Sequence, residues 1–367
     1  MKKLSLLMAA LLVVSFALIG CGTKNKEEAE SSAGEKLKVV LLIPGNLGDK
    51  SFFDAANRGL NLVKEELNAE TKVIEMGTDS TKWEPNLLDA IEGDWDLIIT
   101  GSSITELLNE MAPNYTDKKF INFDTNIKET PENVYAMFYS SNEGSFLAGA
   151  AAALVTSSDI EFANEDKKIG FLGGMDIPGI NDFLIGYIEG AQYVDKDTKV
   201  AISYAGDFGD PAKGKELTLA QFNSGVDISF NVAGGTGLGV IDAAKEKDKY
   251  AIGVDADQAM TFKETDEEKS NHIVTSALKR IDNSILRAVK MYQEGSLKFG
   301  VHEEMGVKEG GVGLAKNEYY ERILPQEIKD KLEQIEADLV SGKIEVTSAF
   351  GLSSEEINKI RESVKPN

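Results

Sequence analysis

Cysteine occurs once, at Cys21, and histidine twice, at His272 and His302. One thiol cannot close an internal disulfide. Two distant histidines outside any zinc-ligand spacing argue against a metal site, and we read both as surface residues. The same scarcity removes the commonest general base. Positive charge is also short: 39 Lys and Arg face 61 Asp and Glu, a formal net charge of −22, which argues against nucleic acid as a partner. HExxH and GxSxG are both missing. Past the first twenty residues the most apolar stretch, Phe146 to Val155, is alanine-rich and too short to span a bilayer. It reads as a close-packed core helix that opens a second lobe.

The start of the chain is different. Lys2 and Lys3 precede an uncharged run from Leu4 to Gly20, the basic head and apolar core of a secretory signal. Leu18-Ile19-Gly20-Cys21 resembles the lipobox of bacterial lipoproteins, which implies lipidation of Cys21 and a lipid anchor on the extracytoplasmic face of the cell membrane. Residues 1–20 are then a signal peptide and 21–36, with no large apolar residue before Leu37, a flexible tether. Loss of Lys2 and Lys3 with the signal leaves a formal charge of −24.

From Leu37 onward short β-rich runs alternate with helical patterns. Lys38–Ile43 reads as a buried strand, and Phe52, Ala56, Leu60, Val63 and Leu67 repeat at helical spacing. Further strands are expected at 72–75, 96–100, 119–124, 134–138, 168–172, 199–204, 228–232 and 250–254. Such alternation means α/β lobes with parallel sheets, whose ligands sit beyond the carboxyl ends of strands. The loops there hold Asn46 and Ser51, Gly101 and Ser102, Asp124, Gly206 to Asp210, Gly234 to Gly239, and Asp255 to Gln258. Asp255 and Asp257 follow an apolar strand and suit hydroxyl recognition; a helix N-cap is the competing role. Glu303 and Glu304 read as solvated. Gly234-Gly-Thr-Gly-Leu-Gly239 misses the dinucleotide spacing GxGxxG, so a plain turn where backbone approaches a ligand or helix fits better than a phosphate loop. Pro325 opens a helix with an apolar stripe of Ile328, Leu332, Ile335 and Leu339, which Gly342 stops.

Gly206-Asp-Phe-Gly-Asp-Pro-Ala-Lys-Gly-Lys-Glu216, Val232-Ala-Gly-Gly-Thr-Gly-Leu-Gly-Val240 and Ile252-Gly-Val-Asp-Ala-Asp-Gln258, in this order, resemble the basic membrane protein family, which includes purine nucleoside receptor lipoproteins of ABC importers. Asp49-Lys-Ser-Phe52, Asp124, Lys279 and Gly310-Gly-Val-Gly-Leu314 support the resemblance, which runs from about residue 38 to 350. It implies a type I periplasmic-binding-protein fold: two Rossmann-like lobes joined by a multi-strand hinge, closing on a nucleoside that passes to permease and ATPase subunits. No cofactor, catalysis or oligomer is implied. Phe52 and Phe208 would sandwich a base, Asp124 would bond the base or ribose edge, Gly234 and Gly235 would approach through backbone, and Asp255 and Lys279 would hold ribose hydroxyls. The family's acidic residue after the first strand and its asparagine after the motif phenylalanine are replaced here by Ile43-Pro44-Gly45 and Phe53, with Asn46 a candidate substitute reader. Expected lobes are 37–140 with 256–300 and 141–255 with 301–350, crossing near 138–142, 254–257 and 301–307, before a tail at 351–367. A ligand-sensing lipoprotein and a sugar receptor are the rival readings.

Overall fold

A computed structural model describes residues 36–366; the signal, the lipobox at Cys21 and all but the last residue of the tether lie outside them. Twelve strands form two six-stranded sheets. They are β1 (Lys38–Ile43), β2 (Glu70–Glu75), β3 (Leu97–Gly101), β4 (Phe120–Phe123), β5 (Val134–Tyr139), β6 (Lys168–Gly173), β7 (Lys199–Tyr204), β8 (Ile228–Val232), β9 (Tyr250–Asp255), β10 (Ile273–Lys279), β11 (Val301–Met305) and β12 (Val312–Leu314). The first sheet runs β11-β5-β4-β3-β1-β2, all parallel, and the second β12-β10-β9-β8-β6-β7, antiparallel only at β10 and β12. Helices cover both faces, which explains why β1 and β9 are buried along nearly their whole length instead of alternating. This is the type I periplasmic-binding architecture expected from the sequence.

Two expected lobe boundaries move. Strand β10 pairs with β9 in the second sheet, so residues 256–279 stay in the second lobe. The chain crosses back after Lys279, and helix Ile281–Gln293 packs on helix Phe52–Leu67, where Gly59 meets the Asp282 backbone. Strand β11 pairs with β5 and belongs to the first sheet, so the last crossing falls between Met305 and Val312. Local periodicity marks a strand but not the sheet it joins. The 351–367 stretch is no loose tail either, since it contains helix Ser354–Ser363 with a capping box at Ser353 and Glu356.

The alanine-rich helix Ser141–Thr156 is buried along almost its whole length and packs on helix Pro178–Val194. Glycine makes that approach possible: a side chain on Gly149 would strike the Tyr187 carbonyl, and one on Gly190 the Phe146 carbonyl. The expected stripe of Ile328, Leu332, Ile335 and Leu339 is buried on helix Gln326–Val340, and Gly342 follows with φ +74°. The histidines depart from expectation. His272 is buried, its Nδ1 2.8 Å from the Lys249 carbonyl, with its ring stacked on Phe162. His302 stacks on Phe138 and places Nε2 2.8 Å from the Thr125 carbonyl. Glu303 is not simply solvated: it accepts from Arg287 at 2.7 Å and from the Tyr135 hydroxyl.

Candidate functional site

The carboxyl ends of the two sheets enclose a cavity of about 1590 Å³. Asn46, Phe52, Phe53, Ser102, Asp124 and Asn126 line it from the first lobe, and Phe208, Gly234, Gly235, Asp255 and Lys279 from the second. Ten of the twelve candidate ligand residues therefore meet in one space. The exceptions are Ser51 and Asp257.

Asp124 follows β4 and Asp255 ends β9, each the third strand of its sheet. Both sit in left-handed backbone, at φ +64° and +60°, a conformation that aspartate tolerates better than bulky residues. The turn aims each carboxylate across the strand end. Lys279, at the end of the neighbouring β10, donates to both Asp124 oxygens at 3.0 Å. It is 5% exposed, and its ammonium lies over the rings of Phe183 at 4.9 Å, Phe52 at 5.4 Å and Tyr139 at 6.0 Å. Burial pushes the carboxyl pKa of Asp124 and Asp255 above the usual range, while the Lys279 charge pulls both back.

Ser51 is fully buried and gives its hydroxyl to Asp255 at 2.5 Å, a bond between lobes. It orients Asp255 and is not part of the cavity lining. Gln258 braces the same turn, accepting from the Val254 amide at 3.2 Å and donating to the Lys50 carbonyl at 3.1 Å. Asp257 takes its capping role. It accepts from the Met260 amide at 3.2 Å and from Asn317 at 2.7 Å, because two residues beyond Asp255 the chain is already at the N-cap of helix Gln258–Phe262.

The motif Asp49-Lys-Ser-Phe52 forms the mouth of helix Phe52–Leu67. Asp49 accepts the amides of Ser51, Phe53 and Asp54 at 2.9 to 3.1 Å, and burial raises its pKa to about 6. Phe52 rests on Phe123 at 5.5 Å and Phe53 at 5.4 Å. Phe53 lies against Gly45, where any side chain would strike its ring, so the two departures from the family pattern are one packed unit. Across the cavity Phe208 covers Gly174 and stays 38% exposed. Its loop is pinned by Thr236, whose amide donates to the Phe208 carbonyl at 2.9 Å and whose hydroxyl donates to the Asp207 carbonyl at 3.0 Å. This gives the glycine-rich stretch its role: Gly234 takes left-handed backbone at φ +54° beside Phe208, and a side chain on Gly235 would come within 3.1 Å of the Phe208 carbonyl.

Trp83, Phe138, Met175, Ile177, Asn181 and Phe183 also line the cavity and were not foreseen. Trp83 follows β2, where the strand-end rule could have found it; Phe183 lies inside a helix and carried no local signal. The lining holds five carboxylates, Asp49, Asp124, Asp176, Asp207 and Asp255, and two cations, Lys279 and Arg361. Lys279 and Arg361 are paired with Asp124 and Asp176, so the cavity is net acidic and repels anions. Among the described residues no helix is long and apolar enough to cross a membrane.

Comparisons with known proteins agree with this architecture. The family of PnrA-like ABC transporter substrate-binding proteins matches residues 36–348. The ABC transporter nucleoside-binding protein BmpA of Lactococcus lactis subsp. cremoris is 31% identical over 95% of this chain and 100% of its own length. Basic membrane protein A1 of Borrelia garinii subsp. bavariensis is 30% identical over 94% of this chain and 96% of its own. A solute-binding protein of an ABC transporter system from Aeropyrum pernix superposes with a TM-score of 0.77 at 27% identity, over 89% of this chain and 97% of that one. The transcription regulator CcpA of Lactococcus lactis, at 12% identity and a TM-score of 0.53 over 77% of this chain and 98% of its own, shares the fold alone.

Proposed function

This chain belongs to the family of PnrA-like ABC transporter substrate-binding proteins, which bind and do not catalyse, and from that premise we propose that it captures a nucleoside for import. The observation that carries the reading is the shared cavity, lined by Phe52 and Phe208 from opposite lobes and by Asp124, Asp255 and Lys279. An aromatic pair suits the flat face of a base. Carboxylates accept from ribose hydroxyls and the ammonium donates to them. The acidic lining favours a neutral nucleoside over a phosphorylated one. The relative from Lactococcus is named for nucleoside binding, which supports the same class. On this reading Cys21 carries the lipid that holds the protein at the extracytoplasmic face, and the lobes hinge shut before the ligand passes to permease and ATPase subunits.

The test is a thermal-shift panel on protein lacking residues 1–21, with nucleosides, bases, sugars and nucleoside monophosphates. A ligand at a hundred times its Kd stabilises the native state by about 2.7 kcal/mol. Nucleosides should raise Tm while monophosphates, bases and sugars do not. Asp255→Ala should weaken the best nucleoside about 5- to 150-fold, since a buried hydroxyl left unpaired costs about 1 to 3 kcal/mol. A flat response to every nucleoside sinks the proposal.

A further inference from the structure

The family match ends at residue 348, yet the chain beyond it builds one wall of the cavity. Ser348 and Ala349 donate to Asp182 at 2.7 and 2.9 Å, and Phe350 meets Phe138 of the first lobe edge-on at 5.5 Å. Helix Ser354–Ser363 is then clamped by Arg361, whose guanidinium reaches Asp176 at 2.7 and 3.0 Å, Asn181 at 2.8 Å and the Tyr204 hydroxyl at 2.7 Å. The same guanidinium lies 5.0 Å above the Tyr204 ring. Beyond the helix, the Val364 carbonyl accepts from Val200 on the edge strand β7 at 2.8 Å. A segment fixed at so many points has a defined inner surface.

That surface presents Leu352, Ile357 and Asn358 to the cavity, which Met175 and Ile177 of the second lobe also line, each 40% exposed. The Arg361 charge is answered by Asp176, so this end offers apolar contact and neutral polar groups. The whole cavity, about 1590 Å³, exceeds the roughly 300 to 1,000 Å³ of common small-molecule sites. On the nucleoside reading, that excess volume gives room for more than the nucleoside itself. We propose that the C-terminal segment forms a second subsite, which takes an uncharged, largely apolar substituent carried by the captured ring compound. Methionine and leucine suit such a group because flexible apolar side chains adapt to its shape. The assignment of a substituent rests on the nucleoside reading; the existence of an apolar subsite does not.

The experiment compares adenosine with N6-benzyladenosine and 5′-benzylthio-5′-deoxyadenosine by calorimetry, on protein lacking residues 1–21 and on its Leu352→Asp variant. Leu352 is only half-buried, and a Tm within a few degrees of the parent verifies folding; Asn358→Asp, at an exposed position, is the second variant. At least one benzyl analogue should bind about tenfold tighter than adenosine. Leu352→Asp should remove that gain and leave adenosine unchanged. A second arm titrates benzyl alcohol while the methyl resonances of Met175, Leu352 and Ile357 are followed, with saturable shifts expected. If adenosine and its analogues fail to bind while benzyl alcohol shifts these methyls, the nucleoside reading falls and the subsite stands. No methyl shift, or analogue gains that survive both variants, overturns the subsite.

Discussion

Replacing Lys279 with methionine tests the electrostatics of the site at its centre. The variant keeps an unbranched chain that can still lie between the rings of Phe52 and Phe183, but it removes the ammonium that bonds both oxygens of Asp124. Asp124 and Asp255, already pushed toward protonation by burial, then lose the positive charge that holds them down. Breaking one side of a buried pair costs about 3 to 5 kcal/mol, and that is the loss expected in urea unfolding at pH 7.5. The loss must depend on pH. In the variant the folded-state pKa of these carboxyls rises further above the unfolded value, so between the two values the folded chain binds more protons than the unfolded chain. Stability then falls as pH rises through that window and returns as pH drops. One group regains up to about 3 kcal/mol between pH 7.5 and 5. The parent provides the baseline, so that other titrating groups cancel in the difference. Asp124→Asn combined with Lys279→Met should recover most of the loss at neutral pH and flatten the slope. A loss that does not change with pH, or no loss at all, refutes the argument that Lys279 neutralises these carboxylates.

Three further outcomes follow from neighbouring features. Phe208→Ala should weaken a nucleoside by about 1 to 3 kcal/mol, the usual worth of a base stacked on an aromatic ring, with little change in Tm because the ring is already 38% exposed; calorimetry and melting on one sample separate the two. Asp227 is buried with one carboxylate oxygen unpartnered among the described residues, and its pKa is raised to about 6. Its contribution to stability is therefore greatest below the unfolded value and is lost as pH rises through about 6. Asp227→Asn should be at least as stable as the parent at pH 7.5, and this advantage should shrink by about 2 to 3 kcal/mol by pH 4, read from urea midpoints. Gly149→Ala should cost at least about 2 kcal/mol, since its methyl meets the Tyr187 carbonyl across a helix contact that has no space to give; a melting temperature equal to the parent's would count against that close approach.

Most strands were legible because parallel sheets covered on both faces need continuous apolar runs, and Lys38–Ile43 and Tyr250–Asp255 are such runs. Strand β11 was not, since Val301-His-Glu-Glu-Met305 is polar and only half covered at its sheet edge. Its membership in the first sheet depends on pairing with β5, which no local pattern encodes. Similar limits apply at the site. Asp255 and Asp257 look alike in sequence; a single left-handed residue sends the first into the cavity and leaves the second to cap a helix. Ser51 is adjacent to the cavity residue Phe52, but the side chain that meets it comes from 204 positions away. The C-terminal wall was the least visible. Its anchor is Arg361 on Asp176 and Tyr204, long-range partners that no pattern in the polar, mixed-charge stretch after residue 350 announces.

The two sheets explain why the site takes the form it does. Each places an aspartate in left-handed backbone at the end of its third strand, and the two strand ends face one another. Two buried carboxylates in one cavity would repel each other and desolvate poorly unless a cation stood near both. Lys279 fills that position because β10 lies next to β9 in the second sheet and its final residue reaches over to Asp124 in the first. The ammonium thus belongs to one lobe and the carboxylate it pairs with to the other. A ligand hydroxyl that bonds Asp255 enters the field of this same cation, so its binding energy is coupled to the Asp124–Lys279 pair. Substitutions at Asp124 and Asp255 should therefore be non-additive in their effect on affinity. A double-mutant cycle with Asp124→Asn and Asp255→Asn measures that coupling, and affinity losses that simply add would mean the two carboxylates act independently.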